Sequence, residues 1–218
     1  MNKASVCFLA ILVLAFLVRV YKIDSPIADW HSWRQADTAA VTRNFIKEGF
    51  NPFIPKYDDM IGMAEKPMPN QGRYRFVEFP IYNMAAYPLY LLFGVQEWLH
   101  RLVSIIFSLG STVFLYLLCK KYISVGVALL TSFTFALLPF NIYYSRTILP
   151  EPTFIFFSLG MIYFIERWIF KNTPLNFWLG LFFAALAFLI KPWAIFYPRP
   201  QLYIIYLKEK RIFPLPRR

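Results

Sequence analysis

The residues best suited to chemistry follow the first long apolar run, in the segment 28–39. This segment contains Asp29, His31, Arg34 and Asp37, flanked by two tryptophans. A helix over residues 33–45 would put Arg34 and Asp37 three positions apart on one face. A carboxylate and a guanidinium would then lie side by side at a membrane surface. The alternative is a solvated ion pair between interfacial tryptophans, which would contribute little energy.

Two further isolated carboxylates are predicted at the same face. Glu78 stands at the entry to an apolar segment, and Glu151 lies between two apolar runs, directly before Pro152. An unpaired ionisable side chain at the membrane boundary is costly, so each of these acids needs a reason to be there. A helix-start acid that interacts with the helix dipole is the competing explanation, and it fits Glu151 well.

Three cations are predicted on that side: Arg34, Arg146 and Lys191. A guanidinium offers two parallel donors to phosphate oxygens, whereas an ammonium acts as a point charge. Such a group of cations near one leaflet suits the phosphate of a lipid-linked substrate. The alternative role is anchoring to lipid headgroups, which Lys191 could do alone.

The composition is that of a membrane protein, with 58% hydrophobic, 20% aromatic and 16% charged residues. The net charge of +11 could suggest a nucleic-acid partner. However, the basic residues punctuate the ends of apolar runs, where they meet lipid headgroups or phosphates, so we expect membrane lipids and no nucleic acid. Cys7 and Cys119 lie in or beside apolar runs, and His31 and His100 are isolated. We therefore expect no disulfide framework, metal site or cofactor.

The apolar runs predict an all-α integral membrane protein, a multi-span bundle of about five or six transmembrane helices. The first span covers residues 4–21; Arg19, Tyr21 and Lys22 replace the small residues of a cleavage site, which disfavours the alternative of a secretory signal. An outer first loop, 22–98, would carry short juxtamembrane helices. The further predicted spans are 99–118, 125–143, 152–169, 175–190 and 194–207, within a membrane module 1–211 that is followed by a basic tail, 212–218.

Orientation depends on whether residues 76–94 cross the membrane or lie along its surface. If they lie along it, the basic loops after the second, fourth and sixth spans share one side, which the positive-inside rule makes cytoplasmic. The loop 22–78, the turn 146–151 and Lys191 then face outward. We expect a multi-pass protein, in the inner membrane if bacterial. Prolines at 192, 198 and 200 make the last span either a broken helix that lines a cavity or a poor membrane segment.

Four motifs resemble one known family when taken in order. They are WRQADTAAVTRNF at 33–45, EFPIY at 78–82 leading to RLVS at 101–104, Ser145-Arg146 with Glu151-Pro152, and Lys191-Pro192. They are similar to the integral-membrane glycosyltransferases of the GT-C fold, such as the protein O-mannosyltransferases and the lipid A aminoarabinose transferase. The resemblance runs from about residue 4 to residue 211. Family members are usually two or more times longer, so it covers their N-terminal part.

The resemblance implies sugar transfer from a polyprenyl-phosphate donor to a hydroxyl of a lipid, glycan or protein acceptor, with inversion, on the extracytoplasmic face. It makes Asp37 the general base. Relatives commonly begin the loop helix with an Asp-Glu pair where this chain has Arg34 and Gln35, so Asp29 folding back is an open alternative. The cations would stabilise the departing phosphate, and Glu78 and Glu151 would hold the sugar or orient the arginines. The substrate-binding candidates are Arg34, Glu78, Arg146, Glu151, Lys191, Asp29 and His31.

Two other classes of function remain open. A non-catalytic lipid- or glycolipid-binding protein would use the same charges to bind headgroups. A transporter would need charges near the middle of the membrane and internal symmetry. The sequence contains no evident repeat and its acids lie at the ends of predicted helices, which disfavours the transporter.

Overall fold

The computed structural model describes residues 2–27, 29–60 and 70–198. Within these ranges the chain is helical, apart from loops and one isolated bridge between Lys56 and Tyr74. The predicted all-helical membrane bundle is confirmed for this part of the chain. The helices are α1 Lys3–Val20, α2 Ser32–Glu48, α3 Ile81–Phe93, α4 Glu97–Tyr122, α5 Val125–Leu137, α6 Pro139–Tyr144, α7 Glu151–Lys171 and α8 Pro174–Ile190, followed by a 3-10 turn, Pro192–Phe196.

Three of these helices, α1, α4 and α7, are long and apolar enough to cross a membrane. Helices α5 and α8 are apolar but shorter, with 13 and 17 residues. The helix predicted over 125–143 is divided, because Leu138 is extended before Pro139 and a proline disfavours helical backbone in the residue before it. The predicted span 194–207 begins inside the 3-10 turn, and its residues from 199 onward, like the basic tail, lie outside the described residues.

The helices α1, α4, α5, α7 and α8 alternate in direction along the chain. They pack in the order α8, α7, α4, α5 and α1, so that α7 and α4 run parallel to each other. Short turns join α4 to α5 and α7 to α8 at what we call the hairpin end; the long segment 21–80 lies at the opposite, loop end. The core between α7 and α8 is rich in phenylalanine. Gly160 permits the close approach of these helices, because a Cβ there would lie 2.1 Å from the Phe183 ring.

Arg19 fastens α1 to the break between α5 and α6. Its side chain is fully buried, and it donates to Ser145 Oγ at 2.6 Å and to the carbonyl oxygens of Ala136 at 2.8 Å and Ala15 at 2.9 Å. The carbonyls at the end of α5 carry partial negative charge, which compensates the guanidinium. The loop end of α1 is thus held by hydrogen bonds as well as by apolar packing.

A buried polar cluster holds α2 and α3 against α4. Its centre is His100, whose Nε2 lies 2.8 Å from Thr42 Oγ1 and whose Nδ1 lies 2.7 Å from Tyr90 OH. Asn83 donates to Thr42 Oγ1 at 2.9 Å, and Tyr82 OH donates to the carbonyl of His100 at 2.8 Å. Because buried polar groups are costly when unpaired, these bonds specify where α2 lies on the bundle.

Candidate functional site

Five charged side chains meet at the loop end and form what we call the site network. Glu151 Oε1 accepts from Lys191 Nζ at 3.0 Å and from Arg34 Nη2 at 3.4 Å. The same Arg34 Nη2 lies 3.7 Å from Glu78 Oε1, and Arg75 Nη1 lies 3.6 Å from that oxygen. The structure therefore brings together four residues that the sequence analysis selected separately, and it adds Arg75.

Three members of the network stand where a helix begins or ends. Arg34 lies in the first turn of α2, Glu151 is the first residue of α7, and Lys191 directly follows α8. An acid is stabilised at a helix N-terminus and a cation at a C-terminus, so Glu151 and Lys191 match the dipoles of their own helices. Arg75 and Glu78 lie on the segment that leads into α3 and are three positions apart. Helix packing thus converts distant helix ends into one charged cluster.

The network contains three cations and two carboxylates, so one positive charge is left over. Glu78 is well buried, with 8% of its side chain exposed. Among the described residues, three buried atoms of the network lack a hydrogen-bond partner: Glu78 Oε1, Glu151 Oε2 and Arg34 Nε. Buried polar atoms are normally paired. An anionic, hydroxyl-bearing ligand such as a sugar phosphate could supply both an acceptor for Arg34 and donors for the acids.

Asp37 does not pair with Arg34 as the sequence spacing suggested. The Arg34 guanidinium instead contacts both Glu78 and Glu151, which offer it two carboxylates where Asp37 would offer one. Asp37 lines a neighbouring cavity of about 410 Å³, whose wall also contains Tyr90. Burial raises the pKa of Asp37, while the charge of Arg75 opposes that rise, so Asp37 is electrostatically coupled to the network.

Small and charged residues line the cavity beside Asp37. The small residues are alanines on α2, and the charged residues include Arg43, Asp58 and Glu97. Arg43 and Asp58 form an ion pair with each other. Within the described residues, no group of three or more His, Cys, Asp or Glu side chains is arranged to hold a metal ion.

The remaining sequence candidates lie outside the network. Arg146 Nη2 donates to the carbonyl of Lys22 at 3.1 Å, and burial is the main factor that lowers the pKa of Arg146. Asp29 Oδ1 accepts from Gln35 Nε2 at 2.7 Å. His31 is exposed and takes a left-handed conformation, with φ of 59°, directly before α2. The Asp29–Gln35 contact ties the segment before α2 to its first turn, and the Arg146 contact ties the turn before α7 to the residues that follow α1.

Sequence reasoning gave no functional role to Arg75 or Gln35. Arg75 follows Arg73 at the end of the polar loop, and its spacing of three to Glu78 is a usable signal. Gln35 is fully buried, and its Oε1 accepts from the backbone N–H of Ile148 at 3.1 Å. It thereby fixes α2 against the turn that precedes Glu151, and no local pattern could have indicated this contact.

An apolar groove of about 270 Å³ has, within the described part of the chain, Glu78 as the one charged residue of its lining. Its walls come from the segments 52–55 and 76–80 and from the end of α8. Phe53 and Phe76 are largely exposed beside it, at 76% and 67%. Because two arginines contact the Glu78 carboxylate, the groove would suit a lipid chain whose phosphate lies beside those arginines.

Comparison with known proteins gives two matches. Residues 80–214 match a family model described as dolichyl-phosphate-mannose-protein mannosyltransferase. An uncharacterized protein of Aquifex aeolicus (strain VF5) is 37% identical over 120 residues, which cover 54% of this chain and 27% of that protein. The alignment thus spans about a quarter of the relative's length. No solved structure matches. The matched region contains Glu151 and Lys191, whereas Arg34, Asp37 and Glu78 precede it.

Proposed function

This chain belongs to the dolichyl-phosphate-mannose-protein mannosyltransferase family, and from that premise we propose that it transfers a sugar from a polyprenyl-phosphate donor to an acceptor hydroxyl. The bond between the anomeric carbon and the phosphate oxygen breaks, and the acceptor oxygen forms the new bond from the opposite face, with inversion. The proton of the acceptor leaves to a base, and polyprenyl phosphate departs with the bonding electrons. The site network is the observation that carries this proposal.

The cations of the network hold the donor phosphate. A phosphodiester becomes a monoester in this reaction, so its negative charge grows by about one unit as the bond breaks. Arg34, Arg75 and Lys191 outnumber the two carboxylates, and preorganised cations stabilise charge most where it develops in the transition state. Glu78 and Glu151 orient these cations, and Glu151 Oε2 is left as an acceptor for a sugar hydroxyl.

Asp37 is the general base in this proposal. It lies in the cavity next to the network, where an acceptor hydroxyl can approach, and burial makes its carboxylate a stronger base. Asp29, the alternative acid, already accepts a hydrogen bond from Gln35. Arg146 lies beyond the network and stabilises the backbone near Lys22.

The apolar groove lined in part by Glu78 receives the first part of the polyprenyl chain. A chain seated there would carry its phosphate to Arg75 and Arg34, which contact the same carboxylate. The loop end would face outward, because the short turns at the hairpin end carry Lys120, Lys121 and Lys171. The acceptor is a lipid, a glycan or a protein at that surface of the plasma membrane.

The test is an activity assay of the purified full chain reconstituted with polyprenyl-phosphate mannose and a lipid extract as acceptor. The wild-type protein should transfer sugar, and Asp37→Asn should reduce turnover by about 100-fold or more, the usual contribution of a general base. Asp24→Asn, which changes an exposed acid in the same loop, is the matched control and should retain full activity.

Two results would contradict the proposal. Full turnover by a folded Asp37→Asn protein would remove Asp37 from the role of base. Tight donor binding by the wild-type protein with no transfer to any acceptor fraction would instead support the non-catalytic, lipid-binding alternative.

A further inference from the structure

A second charged cluster lies at the hairpin end of the bundle, and the proposed reaction does not use it. We call it the basic collar. It consists of Lys121 in the last turn of α4, with Arg167 and Lys171 near the end of α7, around the carboxylate of Glu166. Glu166 follows Glu151 by fifteen residues on α7, which corresponds to about 22 Å along the helix. The collar is therefore separate from the site network.

Glu166 is the buried centre of the collar, with 1% of its surface exposed. Its Oε1 forms an ion pair with Lys121 Nζ and accepts from Tyr122 OH at 3.0 Å. Lys121 Nζ also lies 4.4 Å from the centre of the Phe170 ring. Glu166 is thus neutralised by one lysine, and the remaining cations have no carboxylate of their own within the collar.

The cations of the collar repel one another. Arg167 and Lys171 lie close enough to Lys121 for their charges to act unfavourably on it. Arg167 Nη1 donates to Tyr163 OH at 2.6 Å, but its Nε is buried without a hydrogen-bond partner among the residues that the structure describes. A charged donor without an acceptor, among cations in excess, is complementary to an anion.

The collar also has the surroundings of a lipid headgroup. It lies where two apolar helices end, and Tyr122 and Trp178 are 55% and 62% exposed near the same end. Amphipathic aromatic rings are typical of the membrane interface. If the cations held the phosphate of a lipid there, the acyl chains of that lipid would lie beside the apolar faces of α4 and α7.

From this geometry we propose that the basic collar binds the phosphate of an anionic phospholipid. The Arg167 guanidinium and the Lys171 ammonium donate to the phosphate oxygens of the headgroup. Lys121 stays with Glu166, which keeps the lysine side chain beside the headgroup. Three cations against one carboxylate give the collar an excess of two positive charges, so it prefers anionic over zwitterionic lipids.

The experiment measures the apparent unfolding temperature of the purified full chain in detergent during titration with a soluble short-chain phosphatidylglycerol. A ligand that binds the folded state raises that temperature by an amount that grows with the logarithm of its concentration relative to its Kd. We expect stabilisation by phosphatidylglycerol at concentrations where phosphatidylcholine of equal chain length, and inorganic phosphate, have none. Arg167→Gln and Lys171→Gln should each weaken the lipid affinity by about fivefold, the effect of one basic residue near an anionic headgroup.

Lys47→Gln is the matched control, because it removes an exposed lysine at the opposite end of the molecule and should leave the titration unchanged. If Arg167→Gln does not fold, Lys171→Gln, which changes the exposed last residue of α7, carries the test. Equal stabilisation by phosphatidylcholine, or by inorganic phosphate, would overturn the proposal. Wild-type affinity in both folded collar variants would overturn it as well.

Discussion

Replacing Lys191 with methionine separates the binding role of the site network from its structural role. Lys191 Nζ lies 3.0 Å from Glu151 Oε1, and its side chain is 15% exposed. The substitution keeps most of the side-chain length and apolar volume but removes the charge. In the proposed mechanism, donor phosphate then loses one of three cations, whereas Glu151 keeps Arg34 at 3.4 Å.

Two magnitudes decide what should be observed. A hydrogen bond to a charged group contributes about 1.5–3 kcal/mol, so loss of the ammonium should lower kcat/KM by about 10- to 100-fold. The ion pair lost within the protein is partly buried, with 15% of the Lys191 and 30% of the Glu151 side chain exposed. Because Glu151 keeps Arg34 as a counter-charge, the loss should lower the free energy of unfolding by about 1.5–3 kcal/mol. Catalysis should therefore decrease strongly while the protein remains folded.

The assay is steady-state sugar transfer over a range of donor concentrations, with helical circular dichroism as the check on folding. Because the phosphate charge grows as the bond breaks, part of the loss should be in kcat as well as in KM. Lys191→Arg keeps the charge and should recover part of the activity. Lys47→Met, at an exposed lysine, should have no effect. Unchanged kcat/KM in folded Lys191→Met would refute the role of the network in phosphate binding.

The other predictions concern the base and the bundle. Because burial raises the pKa of Asp37, kcat/KM should fall as the pH decreases through that raised pKa, above the value of about 3.9 for an exposed aspartate; an acid limb at the exposed value in a pH–rate profile would contradict this. Arg19→Leu should lower the free energy of unfolding by about 1–3 kcal/mol, because Ser145 and two carbonyls lose their buried donor; chemical unfolding in detergent measures it, and wild-type stability would show that the buried contacts contribute nothing. Gly160→Val should cost about 1–3 kcal/mol through collision with the Phe183 ring, and Phe183→Ala in the same protein should recover part of that loss in a double-mutant cycle.

Several features of the fold follow from local patterns in the sequence. Long apolar runs predict membrane helices because a bilayer demands both length and internally paired backbone, and α1, α4 and α7 meet those demands. The same reasoning could not predict the division of residues 125–143. The apolar composition is continuous there, and one proline changes the backbone of the residue before it.

The candidate site was also only partly predictable from the sequence. The residue types and their positions at helix ends were sufficient to select Arg34, Glu78, Glu151 and Lys191, because isolated charges beside apolar runs are rare and costly. Their proximity in the fold is consistent with that selection, although their role in catalysis stays a prediction. The spacing along α2 suggested Asp37 as the partner of Arg34. That was wrong, because residue spacing on one helix contains no information about Glu78 and Glu151 on other segments.

By itself, the sequence determined the class of the molecule, an all-helical membrane bundle, and the residues whose charges need an explanation, because hydropathy and helix periodicity act over a few turns of chain. Only the tertiary structure decided which charges meet. Arg34 and Glu151 are separated by 117 positions, and their contact depends on how α2 and α7 pack. Packing likewise buries Arg19 and places Arg75 in the network, because the distance between two side chains on different helices depends on the contacts of the whole bundle.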